Sequence, residues 1–170
     1  MRTQNGNRSQ EVGLRDNFIS SEVYTLMYAS TTDYMLRWFQ YEIIHRILPT
    51  NSRLFIYGIK DAEGCERCPE SKETLQHMFA QCPRAVQFWR QFKNKMRIAD
   101  LANHAVILGS SDVLNCQALY TLVLLGKHYI WRCRGTGLTP NTSGYGKQTM
   151  EYLAVENIFP VQLTTYNNST

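Results

Sequence analysis

Four residues near the middle of this 170-residue chain carry side chains suited to holding a soft divalent metal. Cys65 and Cys68 form a C-x2-C pair, His77 follows after eight residues, and Cys82 after four more. Three thiolates and one imidazole are the closed, four-coordinate donor set of structural Zn2+, with no position left open for a reacting water. The same C-x2-C pair occurs in dithiol redox sites, but no strand-rich redox domain surrounds this one. A chance grouping in a chain with five cysteines also stays open. Structural zinc is the reading that the spacing favours.

The elements around the four residues must bring them to one point. Gly64 precedes the first cysteine and Pro69 follows the second, which predicts a tight turn with both sulfurs on one side. Ser71 as N-cap and Glu73 in the first turn predict a short helix over Lys72 to Gln81 that carries His77. On an unbroken helix Cys82 would point about 140° away from His77. Pro83 resolves this, because the residue before a proline is pushed out of helical geometry. The helix should stop at Cys82, whose sulfur swings back, and Pro83 should open the next helix at its first position.

Composition bounds the rest. A formal charge of +4 falls to about +3 if three cysteine protons leave and a divalent cation arrives, a mildly basic total compatible with nucleic acid. Met1 to Gln10 lacks the apolar core of a signal peptide, and the apolar run Ala118 to Leu125 is too short to cross a bilayer. No membrane partner is expected, and the chain reads as cytoplasmic or nuclear, not secreted, where thiols stay reduced. Cys116 and Cys133, if on one helix, stand about 25 Å apart and cannot bridge; they read as buried, inert thiols.

Taken in order, residues 1–20 read as a disordered tail, 21–134 as a helical domain with its knuckle at 64–83, and 135–170 as a linker, a short helix and a loose tail. Ser20 and Ser21 cap a helix over Glu22 to Tyr28. Asp33 starts a long helix reaching about Leu48, with Leu36, Phe39, Ile43 and Ile47 on one face and Trp38, Tyr41, Ile44 and Leu48 on another, so it should be central to the core. His45 on it is a packed or hydrogen-bonded core histidine before it is a metal ligand. Thr50 or Asn51 caps Ser52 to Tyr57, and Gly58 takes a left-handed conformation. Arg46, Arg53 and Lys60 near these turns are solvated surface or phosphate contacts.

Beyond Pro83, a helix to about Met96 places Ala85, Phe88, Trp89, Phe92 and Met96 on a core face. Arg90, Lys93 and Arg97 line the opposite side, with Arg84 and Lys95 flanking loosely. This is the densest basic run in the chain, and a solvated face and a phosphate-binding face both remain open. Ile98 to Gly109, with His104, reads as a connection. Ser111 caps a helix from about Asp112 to Arg134, ending in Lys127, His128, Arg132 and Arg134, where cations suit the helix dipole. Trp131 and Tyr129 read as core before they read as base-stacking platforms. Gly135 to Gly146 is a turn-rich linker, and Gln148 to Asn157 a last short helix.

Several stretches combine into a pattern. Leu36-Arg37-Trp38-Phe39-Gln40-Tyr41 is followed by Ile44-His45-Arg46-Ile47-Leu48-Pro49-Thr50-Asn51, Gly58-Ile59 and the C-x2-C pair. Then come Glu73-Thr74-Leu75-Gln76-His77-Met78-Phe79, Cys82-Pro83 and Phe88-Trp89. Together they resemble the zinc-binding domain near the C-terminus of LINE-type (non-LTR) retrotransposon reverse transcriptases, closely over residues 33 to 97. The resemblance implies that Cys65, Cys68, His77 and Cys82 ligate Zn2+, and that the domain sits beyond a polymerase and helps to engage RNA or target DNA. No Y/F-x-D-D pair occurs, and two-metal nucleotidyl transfer needs paired carboxylates, so no polymerase activity is carried over.

The expectation is therefore a mostly α, non-enzymatic domain built around a C-x2-C-x8-H-x4-C zinc knuckle. Its leading function is binding RNA or DNA through phosphates with Arg84, Arg90, Lys93, Lys95 and Arg97. A structural module docking on the polymerase part of a longer parent chain, or an inactive transposon fragment, is the alternative.

Overall fold

Asp33 shows how local chemistry opens the first long helix: its Oδ1 accepts from Met35 N at 2.7 Å and Leu36 N at 3.3 Å, satisfying two amide donors that the helix start leaves free. The computed structural model describes residues 21–98, 101, 106–107 and 117–155. The tails expected at 1–20 and 160–170, His104, the Ser111 cap, the Asp112 start and Cys116 lie outside them. The chain is mostly helical. Helix α1 spans Ser21–Ser30, α2 Tyr34–Ile44 and α3 Asn51–Ile56, then the antiparallel strands β1 (Gly64–Cys65) and β2 (Cys68–Lys72) follow. A π-helical segment, His77–Gln81, leads into α4 (Pro83–Met96), α5 (Gln117–Thr136) and α6 (Thr142–Val155).

Helix α5 lies at the centre of the core, the place expected for α2. Every residue from Leu119 to Lys127 is buried, as a helix must be when neighbours cover all its sides. Its start is tied to the end of α1, where Gln117 Nε2 donates to Ala29 O and the Thr121 hydroxyl lies 2.9 Å from Ser30 O. Gly126 admits α4: a Cβ there would stand 2.7 Å from Trp89 Cη2, so only glycine permits this approach.

Helix α2 stops at Ile44, short of the expected Leu48, because Arg46 turns left-handed with φ 55°. It buries Leu36, Phe39, Gln40, Ile43 and Ile44, whereas Trp38, Tyr41 and Ile47 are exposed. Trp38 and Tyr41 stack on one another at 5.4 Å instead of entering the core. His45 is an exposed surface histidine at the helix end, 2.9 Å from Tyr24 Oη. Thr50 caps α3, accepting from Arg53 N, and Gly58 has φ 68°, as the sequence implies.

Helix α6 begins at Thr142, six residues before the start read from sequence, despite Gly144 and Gly146. Asn141 Oδ1 accepts from Gly144 N at 2.9 Å, and Tyr145 is buried with its hydroxyl donating to Leu122 O at 2.9 Å. Its ring packs against Phe88 and Phe92 at 5.5 and 5.7 Å. Tertiary packing here outweighs the roughly 1 kcal/mol that a glycine costs in a helix. Tyr145 and Leu153 carry the core past Arg134, the end that the sequence reading gave the domain. Among the described residues, no helix is long and apolar enough to cross a membrane.

Candidate metal centre

Cys65 and Cys68 face each other across the β1–β2 hairpin, with Glu66 and Arg67 as its turn. Opposed residues of an antiparallel pair point their side chains to the same face, so the hairpin aims both sulfurs one way. The expected helix carrying His77 forms but starts later than Lys72, at Leu75: Ser71 and Lys72 belong to β2, and Thr74 supplies the cap, its Oγ1 accepting from His77 N at 3.0 Å. Three-residue spacing from Thr74 to His77 is an N-cap signal that the sequence carries.

The last ligand arrives by a device the sequence reading did not contain. The Cys82 amide donates to His77 O at 2.6 Å, an i→i+5 bond, so the turn from His77 to Gln81 is π-helical. This wider turn returns toward its starting side after about five residues, whereas an α-helix would leave Cys82 about 140° from His77. Cys82 then leaves helical geometry at φ −57°, ψ 128°, as a residue before proline must, and Pro83 opens α4. Trp89 Nε1 donates to Phe79 O at 2.7 Å, so one carbonyl of the π turn is satisfied by α4.

The ligand atoms of Cys65, Cys68, His77 and Cys82 all lie within 4.8 Å of one another. Cys68 Sγ is 3.8 Å from Cys82 Sγ, the edge of a tetrahedron drawn with Zn–S bonds of about 2.3 Å. His77 Nε2 lies 3.0 Å from Cys68 Sγ, a contact a proton occupies in the metal-free set and an ion replaces. Cys65 and Cys82 are buried, and so is His77. Burial, then the neighbouring sulfurs of Cys65 and Cys82, push the Cys68 thiol up to about 12, and a bound cation would favour its thiolate. Burial lowers the His77 pKa, with Arg67 adding to the effect and Glu73 opposing it, which favours the neutral imidazole that binds metal. The donor set, burial and spacing fit Zn2+, and they close its coordination sphere.

A polar strut behind the knuckle escaped the sequence reading. Glu73, wholly buried, accepts from Asn51 N at 2.9 Å and from Arg134 Nε at 2.8 Å through Oε1. Arg134 Nη2 donates to Asn51 Oδ1 at 2.6 Å, and Asn51 Nδ2 to Gly64 O at 2.8 Å. The end of α5, the start of α3 and the first strand are thus pinned together 61 residues apart in sequence from Glu73 to Arg134. Removing one partner from such a buried pair costs roughly 3–5 kcal/mol. Glu73 therefore serves as an inter-element pairing group, where the sequence suggested a helix-start charge, and Arg134 pairs with it at the end of α5. Lys127, read as part of the same terminal basic cluster, is buried seven residues before Arg134, bound to Gln40 Oε1 and, at 3.2 Å, to Ile107 O.

Of the basic residues singled out in sequence, Arg84, Arg90, Lys93 and Lys95 fall on α4, whereas Arg97 follows its last residue as the C-cap, in the left-handed conformation with φ 55°. Arg84, Arg90, Lys95 and Arg97 are exposed and Lys93 is half-buried, opposite buried Ala85, Phe88, Trp89 and Phe92. Arg84 Nη1 donates to Thr139 Oγ1 at 2.7 Å, and Lys95 leans toward Gly146 of α6. Among the described residues, none of the five forms an ion pair. By contrast, Lys60 is paired with Glu66 at 2.6 Å and Arg53 Nη1 donates to Arg46 O. Trp131 borders an open groove of about 510 Å³ with Met35, His128, Arg132, Arg134 and Gly135. The Arg134 guanidinium lies over its ring at 4.8 Å and Phe39 stands at 6.5 Å; half-buried, it packs against the core, as does Tyr129 against Phe88.

Residues 11–89 match a family model described as zinc-binding in reverse transcriptase, a span that includes all four ligands and ends within α4. No curated protein and no solved structure matches the chain.

Proposed function

We propose that this chain is a zinc-stabilised, non-catalytic accessory module of a reverse transcriptase of the LINE (non-LTR) type, and that it binds RNA or DNA through phosphates on the outer face of α4. One observation carries the reading. Helix α4 leaves directly from the ligand Cys82, presents Arg90 and Lys93 along one side with Arg84 and Lys95 beside them, ends on the C-cap Arg97, and contains no carboxylate. The charge is segregated along the chain: residues 83–150 hold nine basic and two acidic side chains, residues 21–82 six basic and eight acidic. Cations that form no ion pair among the described residues, on a helix fixed at its root by a metal, make a rigid, sequence-independent phosphate contact. The match to a reverse-transcriptase zinc-binding segment supports the same assignment.

Binding titrations with single-stranded RNA and DNA at two salt concentrations test it. Each phosphate neutralised on a single strand contributes about −0.7 to the slope of log K against log salt. Changing Arg90, Lys93 and Arg97 to Gln should flatten that slope by about 2, and changing all five cations should remove most of the affinity. Unchanged affinity of the five-fold variant for both nucleic acids would overturn the proposal.

A second reading rests on α2, where Tyr34, Met35 and Trp38 are 69%, 65% and 44% exposed. That aromatic face suits docking on another polypeptide, such as the polymerase part of a longer parent chain. It predicts binding to neither nucleic acid at either salt concentration.

A further inference from the structure

Arg67, in the turn between the first two ligands, stands apart from the other cations of the knuckle. Its neighbour Glu66 points outward to Lys60, but the Arg67 guanidinium turns inward: Nε, Nη1 and Nη2 are all buried and have no hydrogen-bond partner. It acts electrostatically on His77 and on Cys133, which places it against the metal centre and the end of α5. No described carboxylate pairs with it: the buried acid nearby, Glu73, engages Arg134 through Oε1, and its Oε2, though buried, forms no hydrogen bond to Arg67. A guanidinium cannot shed its charge in a protein, and an isolated buried charge costs several kcal/mol. Such a group needs a counter-charge, and among the described residues no ion pair of the knuckle supplies one.

The loaded centre does. Three thiolates, one neutral imidazole and one Zn2+ carry a single net negative charge, because the ligands bind deprotonated. We propose that Arg67 is the counter-ion of the zinc-loaded centre, a positioning residue whose buried charge is compensated only when the metal and its three thiolates are in place. Glu73 and Arg134 cancel one another, so with zinc bound the charge of Arg67 meets the single negative charge of the centre. Arg67 thereby makes the metal-free knuckle worse and the loaded knuckle better, and it sharpens the dependence of this region on zinc.

The full chain carrying Arg67→Met, which keeps volume and removes charge, tests this by competition titration with a zinc chelator and by thermal unfolding with and without metal. The unsubstituted chain in the same titration must take up one zinc; if it does not, the metal assignment fails and not the role of Arg67. The expected result is zinc affinity weakened roughly 10–100-fold, the range for outer-sphere partners of metal ligands, together with a metal-free Tm that is unchanged or higher. Arg67→Lys, which restores charge without the fork, should recover most of the affinity. A side chain that merely packs would move both states in the same direction. Affinity weakened less than about tenfold, a lower Tm for the metal-free Arg67→Met chain, or its failure to fold without zinc would overturn the proposal.

Discussion

The hairpin that carries Cys65 and Cys68 and the bundle of α4, α5 and α6 bury different kinds of group. In the bundle, Phe88, Phe92, Tyr120, Leu124 and Tyr145 are excluded from water, and stability follows the apolar area removed. In the knuckle, the buried groups are sulfurs, an imidazole, Glu73, Asn51 and the guanidinium of Arg67. These are held by direction and charge, and each costs free energy if its partner leaves. One region tolerates small changes everywhere in proportion to area, the other depends on a few bonds and one ion. The π turn at His77–Gln81 joins the two, because Trp89 of α4 reaches back to its Phe79 carbonyl.

If that contrast holds, the largest single effect belongs to the bundle. Phe88 is fully buried and its ring meets Trp89, Phe92, Tyr129 and Tyr145. Phe88→Ala should cost about 3–5 kcal/mol in urea unfolding of the zinc-loaded protein, with one cooperative transition. A loss below about 1 kcal/mol would mean that the bundle collapses around the gap and is not the rigid half of the molecule.

Removing zinc should act the other way round, with a large local effect and a small global one. Binding energy at a small metal site is folding energy, but here a helical core shares the task. Chelation should raise amide exchange across residues 58–97 while amides of α5 from Leu119 to Lys127 keep their protection. Loss of protection in both regions together would show that the bundle has no stability of its own, and the comparison would fail.

How far the sequence could anticipate this division depends on what kind of force each part uses. The four ligands were legible because donor chemistry resides in residue type and spacing, and Cys82-Pro83 announced its own break in the helix. The π turn was not, since it is the choice of one hydrogen bond, His77 O to Cys82 N, over its neighbour. Nor was the Glu73–Arg134 strut, because nothing local marks two residues 61 apart as partners. Periodicity on α2 placed Trp38 and Tyr41 on a shared face correctly, but it cannot say whether another element covers that face, and none of the described ones buries them. Gly144 and Gly146 argued against a helix that Tyr145 then enforces from the core.

The smallest effect tests the one charge the bundle itself buries. Two cations, Arg67 and Lys127, are sequestered in the two regions, and they differ in what they can do about it. Arg67 cannot deprotonate. Lys127 can: burial pulls its ammonium down to about 7, against about 10.4 in an unfolded chain, and among the described residues it bonds to the neutral Gln40 side chain and the Ile107 carbonyl. Between these two values the unfolded state binds a proton that the folded state has released. Unfolding then takes up a proton, so stability rises with pH across that window, by at most about 1.4 kcal/mol per pH unit. Burial also raises the Cys133 thiol, which opposes the trend at the upper end, but it does so equally in a variant that keeps Cys133. The difference in stability between the unsubstituted chain and Lys127→Met should therefore shift by about 2 kcal/mol from about pH 7 to about pH 8.5, in favour of the unsubstituted chain. Parallel curves would mean that Lys127 keeps its proton in the folded state, and that the bundle, like the knuckle, stabilises a buried charge through its hydrogen bonds.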